Sequence, residues 1–498
     1  MKNQVQLTAY VDRFSGGGLR ELHELLLESF NGAFGGVHLL PFFFPIDGAD
    51  AGFDPIDHTR VDARLGTWDD VRALGEHVEI MADLIVNHVS SRSPQFLDYD
   101  ERGDESRYAG MFLTYSKVFG DGARESELLQ LYRPRPGLPF TRYQLKHGEE
   151  RLVWTTFTGE QIDINVHHTE GKRYLDSILQ QFHAAGIRAI RLDAVGYAVK
   201  KAATSCFMIP ETFDFIGNLT AQAHALGIEV LVEIHSHYLE QIEIARQVDW
   251  VYDFALPPLV LHTLYTRNAR QLKRWFEIRP RNAVTVLDTH DGIGVLDVGA
   301  DRKGRNLPGL LTPDEIDVLV DTIHHRSRNE SRQATGAAAN NLDLYQINCT
   351  FYDALGRDDD AYLIARALQL FTPGIPQVYY VGLLAGRNDM ELLRRTAVGR
   401  DINRHYYTSK ELQQQLARPT VRTLMKLLRF RNTHPAFAGE FHLLSSADDH
   451  ILLEWRNESH WARLETDLNK VSGAITCSPF EANPGITTVW NTTNEVPR

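Results

Sequence analysis

The chain has 498 residues, 43% of them hydrophobic and 23% charged, a composition that excludes a disordered or fibrous protein. Its 52 basic and 65 acidic residues give a net charge of −13, which disfavours nucleic acids and anionic membrane surfaces as partners. No apolar run approaches the ~18 residues that a membrane-spanning helix needs, and no signal peptide is visible.

Short apolar strands alternate with amphipathic helices along most of the chain, the pattern of a parallel sheet built from βα units. The predicted helices carry apolar stripes at helical spacing, such as Leu175, Ile178, Leu179 and Phe182, or Leu19, Leu22, Leu26 and Phe30. We assign these stripes to the core. Eight strands are predicted, at residues 5–11, 35–43, 80–88, 187–195, 228–235, 249–257, 283–291 and 375–381. Eight strands of this kind predict a closed (β/α)8 TIM barrel, an α/β fold.

Two long stretches interrupt the alternation, after the third and the seventh predicted strand. Loops of this length are usually functional, and both would emerge at the C-terminal face of the barrel. The end of the chain alternates apolar and polar residues, which predicts a small antiparallel β domain. We therefore predict a catalytic barrel from residues 1–88, 168–292 and 357–436, insertion domain B at 89–167, insertion domain B′ at 293–356, and a C-terminal β domain at 437–498.

Three acidic residues stand at the ends of predicted barrel strands, namely Asp193, Glu233 and Asp291. Because side chains alternate along a strand, Arg191 shares a face with Asp193 and would favour its ionised form. The apolar run before Glu233 predicts burial that raises the pKa of this carboxyl, as a general acid requires. Two carboxyls about 5–5.5 Å apart across a glycosidic bond give double displacement with retention. Singly, each acid could equally be a structural cap or ion pair, whereas the three together favour a catalytic site.

Three histidines lie at the same strand ends. His88 closes the third strand, His235 follows Glu233, and His290 precedes Asp291. We interpret them as hydrogen-bond partners for sugar hydroxyls. A metal site is the competing interpretation, but the sequence has no HExxH motif or similar ligand spacing.

Four segments around these residues, at 83–88, 190–195, 229–235 and 286–292, resemble in order the four signature regions of glycoside hydrolase family 13, the α-amylase family. The R-x-D of the second region, the Glu of the third and the H-D of the fourth are specific signals. The resemblance implies that Asp193 is the nucleophile, Glu233 the acid/base and Asp291 the transition-state stabiliser. It also implies that His88, Arg191 and His290 bind the glucosyl unit.

Longer stretches, including 40–62, 132–141, 340–348 and 399–407, resemble the members of this family that transfer the glucosyl unit of sucrose to inorganic phosphate. The reaction so implied releases α-D-glucose 1-phosphate and D-fructose and uses no metal and no cofactor. The resemblance implies that Asp50 and Arg400 hold the far hydroxyls of glucose and that Phe53 stacks on its apolar face. It further implies that Phe157, Gln161, Tyr197 and Ile234 shape the site, and that Arg135, Asp343, Leu344, Tyr345 and Gln346 form an alternating fructose and phosphate site.

Several alternatives stay open. Related phosphorylases act on sucrose 6-phosphate or glucosylglycerate, and hydrolases or transglucosylases use the same barrel. A different class, the inactive amylase-like subunit of membrane transporters, is disfavoured by the intact acidic triad and the absence of a membrane span. The expected partners are small molecules, with neither nucleic acid nor membrane, and a homodimer is possible. Cys206, Cys349 and Cys477 show no paired spacing, which suits a reducing cytoplasm.

Overall fold

The computed structural model describes residues 1–48, 50–134, 137–146, 148–301, 306–335, 346–479 and 485–492. In the first half of the chain the strands are β1 (Gln6–Ala9), β2 (Gly36–Leu39), β3 (Phe43–Phe44), β4 (Asp57–Val61), β5 (Glu79–Ile85), β6 (His88–Ser90), β7 (Phe140–Gln144), β8 (Glu150–Trp154), β9 (Gln161–Asp163), β10 (Ala189–Asp193) and β11 (Glu229–Val232). They are followed by β12 (Trp250–Asp253), β13 (Ala283–Thr285), β14 (Ile293–Gly294), β15 (Gln346–Ile347), β16 (Ile375–Tyr379), β17 (Glu440–Leu444), β18 (His450–Asn457), β19 (His460–Asp467), β20 (Ser472–Cys477) and β21 (Thr487–Asn491).

The helices are, first, α1 (Val11–Phe14), α2 (Leu19–Leu27), α3 (Trp68–Gly75), α4 (Pro94–Arg102), α5 (Tyr115–Phe119), α6 (Glu125–Gln130), α7 (Thr169–Ala184), α8 (Pro210–Ala225), α9 (Tyr238–Ala245) and α10 (Leu256–Thr266). They continue with α11 (Arg270–Ile278), α12 (Pro313–Arg326), α13 (Glu330–Gln333), α14 (Phe351–Ala354), α15 (Asp359–Phe371), α16 (Tyr380–Leu383), α17 (Met390–Thr396), α18 (Ser409–Leu416) and α19 (Pro419–Thr433).

Eight parallel strands close into a barrel in the order β1-β16-β13-β12-β11-β10-β5-β2. Seven of them fall inside predicted strands and the eighth, β5, begins one residue before its predicted start at residue 80, so the prediction of a (β/α)8 barrel is confirmed. The predicted helix faces are confirmed as well. Helix α7 buries Leu175, Ile178, Leu179 and Phe182, and α2 buries Leu19, Leu22 and Leu26, whereas Phe30, also buried, lies after the end of α2.

The alternation of side chains along β10 decides which residues enter the barrel. Ile190 and Leu192 pack into the large core between strands and helices, whereas Ala189 packs with Met81 and Leu231 in a small cluster of its own. Because Arg191 and Asp193 follow Ala189 at intervals of two, they lie on the inner face of the strand. Glu233 stands in the same relation to Leu231.

Two segments leave the barrel at the C-terminal ends of its strands. Between β6 and β9 lie α4, α5, α6 and the β7–β8 hairpin, and β9 returns to pair antiparallel with β6. Beyond β13, β14 pairs antiparallel with β15, and α12 and α13 lie between these two strands in the chain.

The end of the chain forms a separate antiparallel sheet in the order β17-β18-β19-β20-β21, as the alternating pattern predicts. Cys206, Cys349 and Cys477 are buried free thiols. Over the described ranges, the structure contains no helix that is both long and apolar enough to cross a bilayer.

Candidate active site

The three predicted acids meet in one cavity at the C-terminal face of the barrel. Asp193 is the last residue of β10, Glu233 follows the end of β11, and Asp291 lies in the loop after β13. The C-terminal ends of parallel strands share one face of a barrel, and the loops of that face enclose the site. The cavity encloses about 780 Å³, including its open mouth.

Most of the side chains predicted for the site line this cavity. These are Asp50, Phe53, His88, Phe157, Gln161, Asp193, Tyr197, Glu233, Ile234, His235, His290, Asp291, Gln346 and Arg400. Arg191 lies beneath the floor and is 1% exposed. Arg135, Asp343, Leu344 and Tyr345, predicted for the fructose and phosphate site, lie outside the described residues.

The Arg191 guanidinium holds three carboxylates together. Its Nη1 contacts Asp83 and lies 3.1 Å from Asp193 Oδ1, and its Nη2 forms an ion pair with Glu233 Oε1. Burial of a guanidinium opposes its charge, but Glu233, Asp83 and Asp193 keep the pKa of Arg191 well above its usual value. Asp193 and Glu233 are therefore near neighbours, each bound to one of the two terminal nitrogens of the same cation.

The protonation of Asp193 differs from the sequence-based expectation. Arg191 does favour the ionised form, as expected, but burial raises the pKa of Asp193 well above its usual value. The neighbouring carboxylates of Glu233, Asp83 and Asp291 act in the same direction as burial. The expectation considered one cation two residues away, whereas the barrel brings three further acids to the same place. Without substrate, Asp193 thus favours the retention of a proton.

Asp291 has the opposite environment. Arg400 Nη1 lies 2.7 Å from Asp291 Oδ1, with His290 Nε2 at 3.6 Å and Arg404 Nη2 at 3.9 Å. Burial by itself raises the pKa of Asp291, but Arg400, His290 and Arg404 outweigh it and hold that pKa well below its usual range. Asp291 is therefore a carboxylate at neutral pH.

Arg404 is a site component that sequence reasoning missed. It is 1% exposed, its Nε donates to the His290 carbonyl oxygen at 2.9 Å, and its Nη1 lies 3.7 Å from Asp50 Oδ1. Its position in segment 399–407, one of the segments that carry the resemblance, was the available signal. Arg400 and Arg404 supply the positive charge on the side of the cavity formed by Asp50 and Asp291.

Two histidines of the cavity are held neutral by burial. Burial lowers the pKa of His290 to about 3 and also lowers the pKa of His88. His88 Nε2 lies 2.9 Å from the Phe53 carbonyl oxygen and 3.1 Å from Gln161 Nε2. The Phe53 ring stacks on His290 with centroids 4.9 Å apart. These contacts arrange a flat apolar ring and neutral imidazoles beside the acids, a surface suited to a sugar ring and its hydroxyls.

A wall of aromatic rings closes the side of the cavity formed by the first insertion. Phe157 contacts His88 and Tyr197 edge-on, and Phe207 stacks on Tyr132 with centroids 4.3 Å apart. Tyr132 and Phe207 line the cavity with Ala194 and Gly196, and none of the four was predicted. Tyr132 is the first residue of the segment 132–141 that carries the resemblance, so its place in that segment was the missed signal.

Gly196 makes this wall possible. A Cβ at this position would meet Phe207 Cε2 at 2.6 Å and Met208 Sδ at 3.2 Å. The close approach of Phe207 to the segment after Asp193 therefore requires glycine. A larger residue at position 196 would displace the ring from the cavity.

Lys200 joins the first insertion to the barrel. Its ammonium is buried and contacts Asp163 on β9, Asn87 Oδ1 at 2.6 Å and the Tyr197 carbonyl oxygen. The three acceptors come from three different segments, and each of these segments carries a cavity residue, namely His88, Gln161 or Tyr197. A buried ammonium needs such partners, so this ion pair fixes the position of Gln161 and Tyr197 relative to Asp193.

Within the described residues, Glu233, His235 and Asp291 could present ligand atoms to a metal ion, since these atoms lie within 4.8 Å of one another. Each of the three already has a partner, because Glu233 pairs with Arg191, Asp291 with Arg400, and His235 with Asp297. A metal ion would have to displace these contacts.

Comparisons with known proteins identify relatives over nearly the whole chain. The family profile described as alpha amylase, catalytic domain, matches residues 33–247. The chain is 60% identical to sucrose phosphorylase of Agrobacterium vitis, covering 96% of this chain and 98% of that protein. It is 53% identical to sucrose phosphorylase of Bifidobacterium adolescentis, covering 96% and 95%. The crystal structure of sucrose 6F-phosphate phosphorylase from Thermoanaerobacter thermosaccharolyticum superposes with a TM-score of 0.89 at 39% identity, covering 98% and 97%.

Proposed function

This chain belongs to the α-amylase family and to its sucrose phosphorylase branch, and we propose that it transfers the glucosyl unit of sucrose to inorganic phosphate. The products are α-D-glucose 1-phosphate and D-fructose. The observation that carries the proposal is the binding of Asp193 and Glu233 to the two terminal nitrogens of one buried guanidinium, beneath a cavity lined for a sugar. Retaining glycoside-transferring enzymes need two such neighbouring carboxyl groups.

In the first half-reaction Asp193 attacks the anomeric carbon of glucose while Glu233 gives its proton to the departing fructose oxygen. The raised pKa of Asp193 favours one proton on this carboxyl in the free site, and the step requires that proton on Glu233, which binds the same guanidinium. As the glycosidic bond breaks, that proton leaves with fructose, and the covalent β-glucosyl ester forms on Asp193.

In the second half-reaction phosphate attacks the same carbon from the side that fructose has left. Glu233, now a carboxylate, takes the proton from the attacking phosphate oxygen. The bond to Asp193 breaks, and two inversions leave the α configuration.

The remaining cavity residues bind the glucosyl unit. The ionised carboxylate of Asp291 accepts hydrogen bonds from sugar hydroxyls, and these bonds strengthen as the ring flattens in the transition state. Phe53 offers an apolar ring to the face of the sugar, and the neutral imidazoles of His88 and His290 bond its hydroxyls.

Sucrose, not a related donor, is the preferred substrate. The two relatives named sucrose phosphorylase share 60% and 53% identity with the chain, whereas the structure named for sucrose 6F-phosphate shares 39%. The thiols of Cys206, Cys349 and Cys477 are buried and unpaired, and we place the enzyme in the cytoplasm.

A donor series tests this proposal. Purified enzyme with phosphate is offered sucrose, sucrose 6′-phosphate, glucosylglycerol and glucosylglycerate in parallel, and glucose 1-phosphate is measured. We expect kcat/KM for sucrose to exceed that for each other donor by at least about tenfold, a difference of about 1.4 kcal/mol in transition-state binding. A higher kcat/KM for any other donor would reassign the substrate while leaving the reaction type intact.

A further inference from the structure

His235 lies at the edge of the cavity next to Glu233, in a setting that the mechanism above does not use. Its ring stacks on Phe254, with centroids 3.9 Å apart and an angle of 15° between the rings. Its Nδ1 lies 3.3 Å from Asp297 Oδ2, and its Nε2 lies 3.4 Å from Gln346 Nε2. The two ring nitrogens therefore face different partners, a carboxylate on one side and the cavity on the other.

Asp297 is built into the second insertion and is 1% exposed. Its Oδ1 accepts hydrogen bonds from the Ser236 backbone N–H at 3.1 Å and from Gln241 Nε2 at 2.7 Å. Those two donors fix the carboxylate plane and leave Oδ2 for His235. The arrangement also requires glycine at 294, because a Cβ there would meet Asp297 Oδ2 at 2.8 Å.

We call the part of the cavity formed by Glu233, Ile234, His235 and Gln346 the acceptor subsite. Strand β14, which carries Gly294, connects the His235–Asp297 pair to this subsite. Gly294 on β14 is the register partner of Gln346 on β15. The Gln346 side chain is held in place in turn, since its Oε1 accepts a hydrogen bond from the Gly292 N–H at 3.2 Å.

Phosphate needs a positive partner in this subsite. It enters a protein of net charge −13 beside the carboxyls of Asp193, Glu233 and Asp291. The charged groups that face His235 in the described structure are Asp297, Glu233 and Asp291. Burial alone would lower the pKa of His235, but these carboxylates, Asp297 foremost, raise it above its usual value.

We propose that Asp297 is a positioning residue that keeps a proton on His235 Nδ1, so that Nε2 accepts from the Gln346 amide in the free enzyme and, once protonated, donates together with that amide to a phosphate anion that enters between them. The inference rests on the proposed function and adds a role to the same site. The Nε2 proton comes from solvent, and no covalent bond changes. Asp297 is one negative group beside His235, and bound phosphate adds a second. Together they make the imidazolium the stable form during the second half-reaction.

Asp297→Asn tests the proposal with almost no change in shape. The amide oxygen of Asn stays with the Ser236 and Gln241 donors, so the amide NH₂ faces His235 Nδ1. Nδ1 must then accept a hydrogen bond from this amide, so the proton of the neutral ring moves to Nε2. The imidazolium also loses the negative charge of Asp297 that stabilised it. We expect the KM for phosphate to rise at least fivefold at neutral pH, with the KM for sucrose changed less than twofold.

The pH dependence separates this role from a purely structural one. A raised pKa means that the cation is present below that pKa and is lost as pH rises through it. In the wild type, phosphate binding should therefore weaken as pH rises through the raised pKa of His235, and in Asp297→Asn this loss should occur at lower pH. The ionisation of phosphate itself affects both proteins equally, so it cancels in the ratio of their KM values for phosphate. Asp449→Asn is the matched control, since Asp449 pairs with His450 Nδ1 at 2.7 Å on the C-terminal sheet and should change neither KM.

Histidine 15N NMR of the wild-type enzyme gives a readout that requires no turnover and no Asp297 variant. With the His235 signals assigned by their loss in His235→Gln, the proposal expects Nδ1 to stay protonated across the titration while Nε2 titrates. An Nε2-protonated neutral ring in the wild type would overturn it, as would an unchanged phosphate KM and pH dependence in folded Asp297→Asn. Equal losses in sucrose and phosphate binding would reduce Asp297 to a structural residue. Failure of the proposed function would appear separately, as wild-type enzyme that forms no glucose 1-phosphate.

Discussion

Replacing Asp193 with Asn should lower kcat for sucrose by on the order of 10⁴-fold or more while the protein stays folded. The amide has nearly the shape of the carboxyl and can remain beside Arg191, but it cannot form the glucosyl ester. The loss should appear in release of fructose as well as in formation of glucose 1-phosphate, because both follow the attack by Asp193.

Stopped assays at saturating sucrose and phosphate measure this loss, and thermal unfolding checks the fold. Asp176→Asn, an exposed position on α7, is the matched control and should keep wild-type kcat. A folded Asp193→Asn enzyme that retains a tenth of wild-type kcat would show that another group is the nucleophile.

Glu233→Gln should lower kcat for sucrose by roughly 10³-fold, because fructose then leaves without a proton. The defect depends on the leaving group. Fluoride needs little protonation, so α-glucosyl fluoride should still transfer its sugar to Asp193. With the base also missing, the glucosyl-enzyme should break down slowly and accumulate.

Intact-protein mass spectrometry after mixing with α-glucosyl fluoride detects this species as one added glucosyl unit. Asp193→Asn, treated in the same way, should gain no mass and serves as the control. Equal loss of activity towards sucrose and towards α-glucosyl fluoride would contradict the acid role of Glu233.

The barrel and its acids were predictable from sequence because the signals are local. Strand alternation places Arg191 and Asp193 on one face, and each acid ends an apolar run whose strand the structure contains. Parallel strands of a closed barrel then bring those ends together without further information.

The electrostatics of the site were not predictable in this way. The sequence shows Arg191 two residues from Asp193, but burial, together with Glu233, Asp83 and Asp291 from other parts of the barrel, raises the pKa of that carboxyl instead of lowering it. Likewise Arg400, predicted for sugar hydroxyls, lies against Asp291. Such effects depend on distances that are set by tertiary structure.

Residues that act through others left the weakest sequence signal. Lys200 and Asp297 belong to no recognisable motif, and only burial beside Asp163 and His235 shows what each one holds. Arg404 lies in the segment 399–407 that carries the resemblance, but nothing local distinguishes it from Arg400. Tertiary contacts, not motifs, identify this class of residue.

The most direct test of the account is the product balance from sucrose across a phosphate titration, with the anomeric configuration read by NMR before any equilibration. The account predicts that fructose release is matched by glucose 1-phosphate as phosphate approaches saturation, and that the sugar phosphate is the α anomer, because transfer passes twice through inversion. Free glucose as the main product at every phosphate concentration, or β-glucose 1-phosphate, would contradict it.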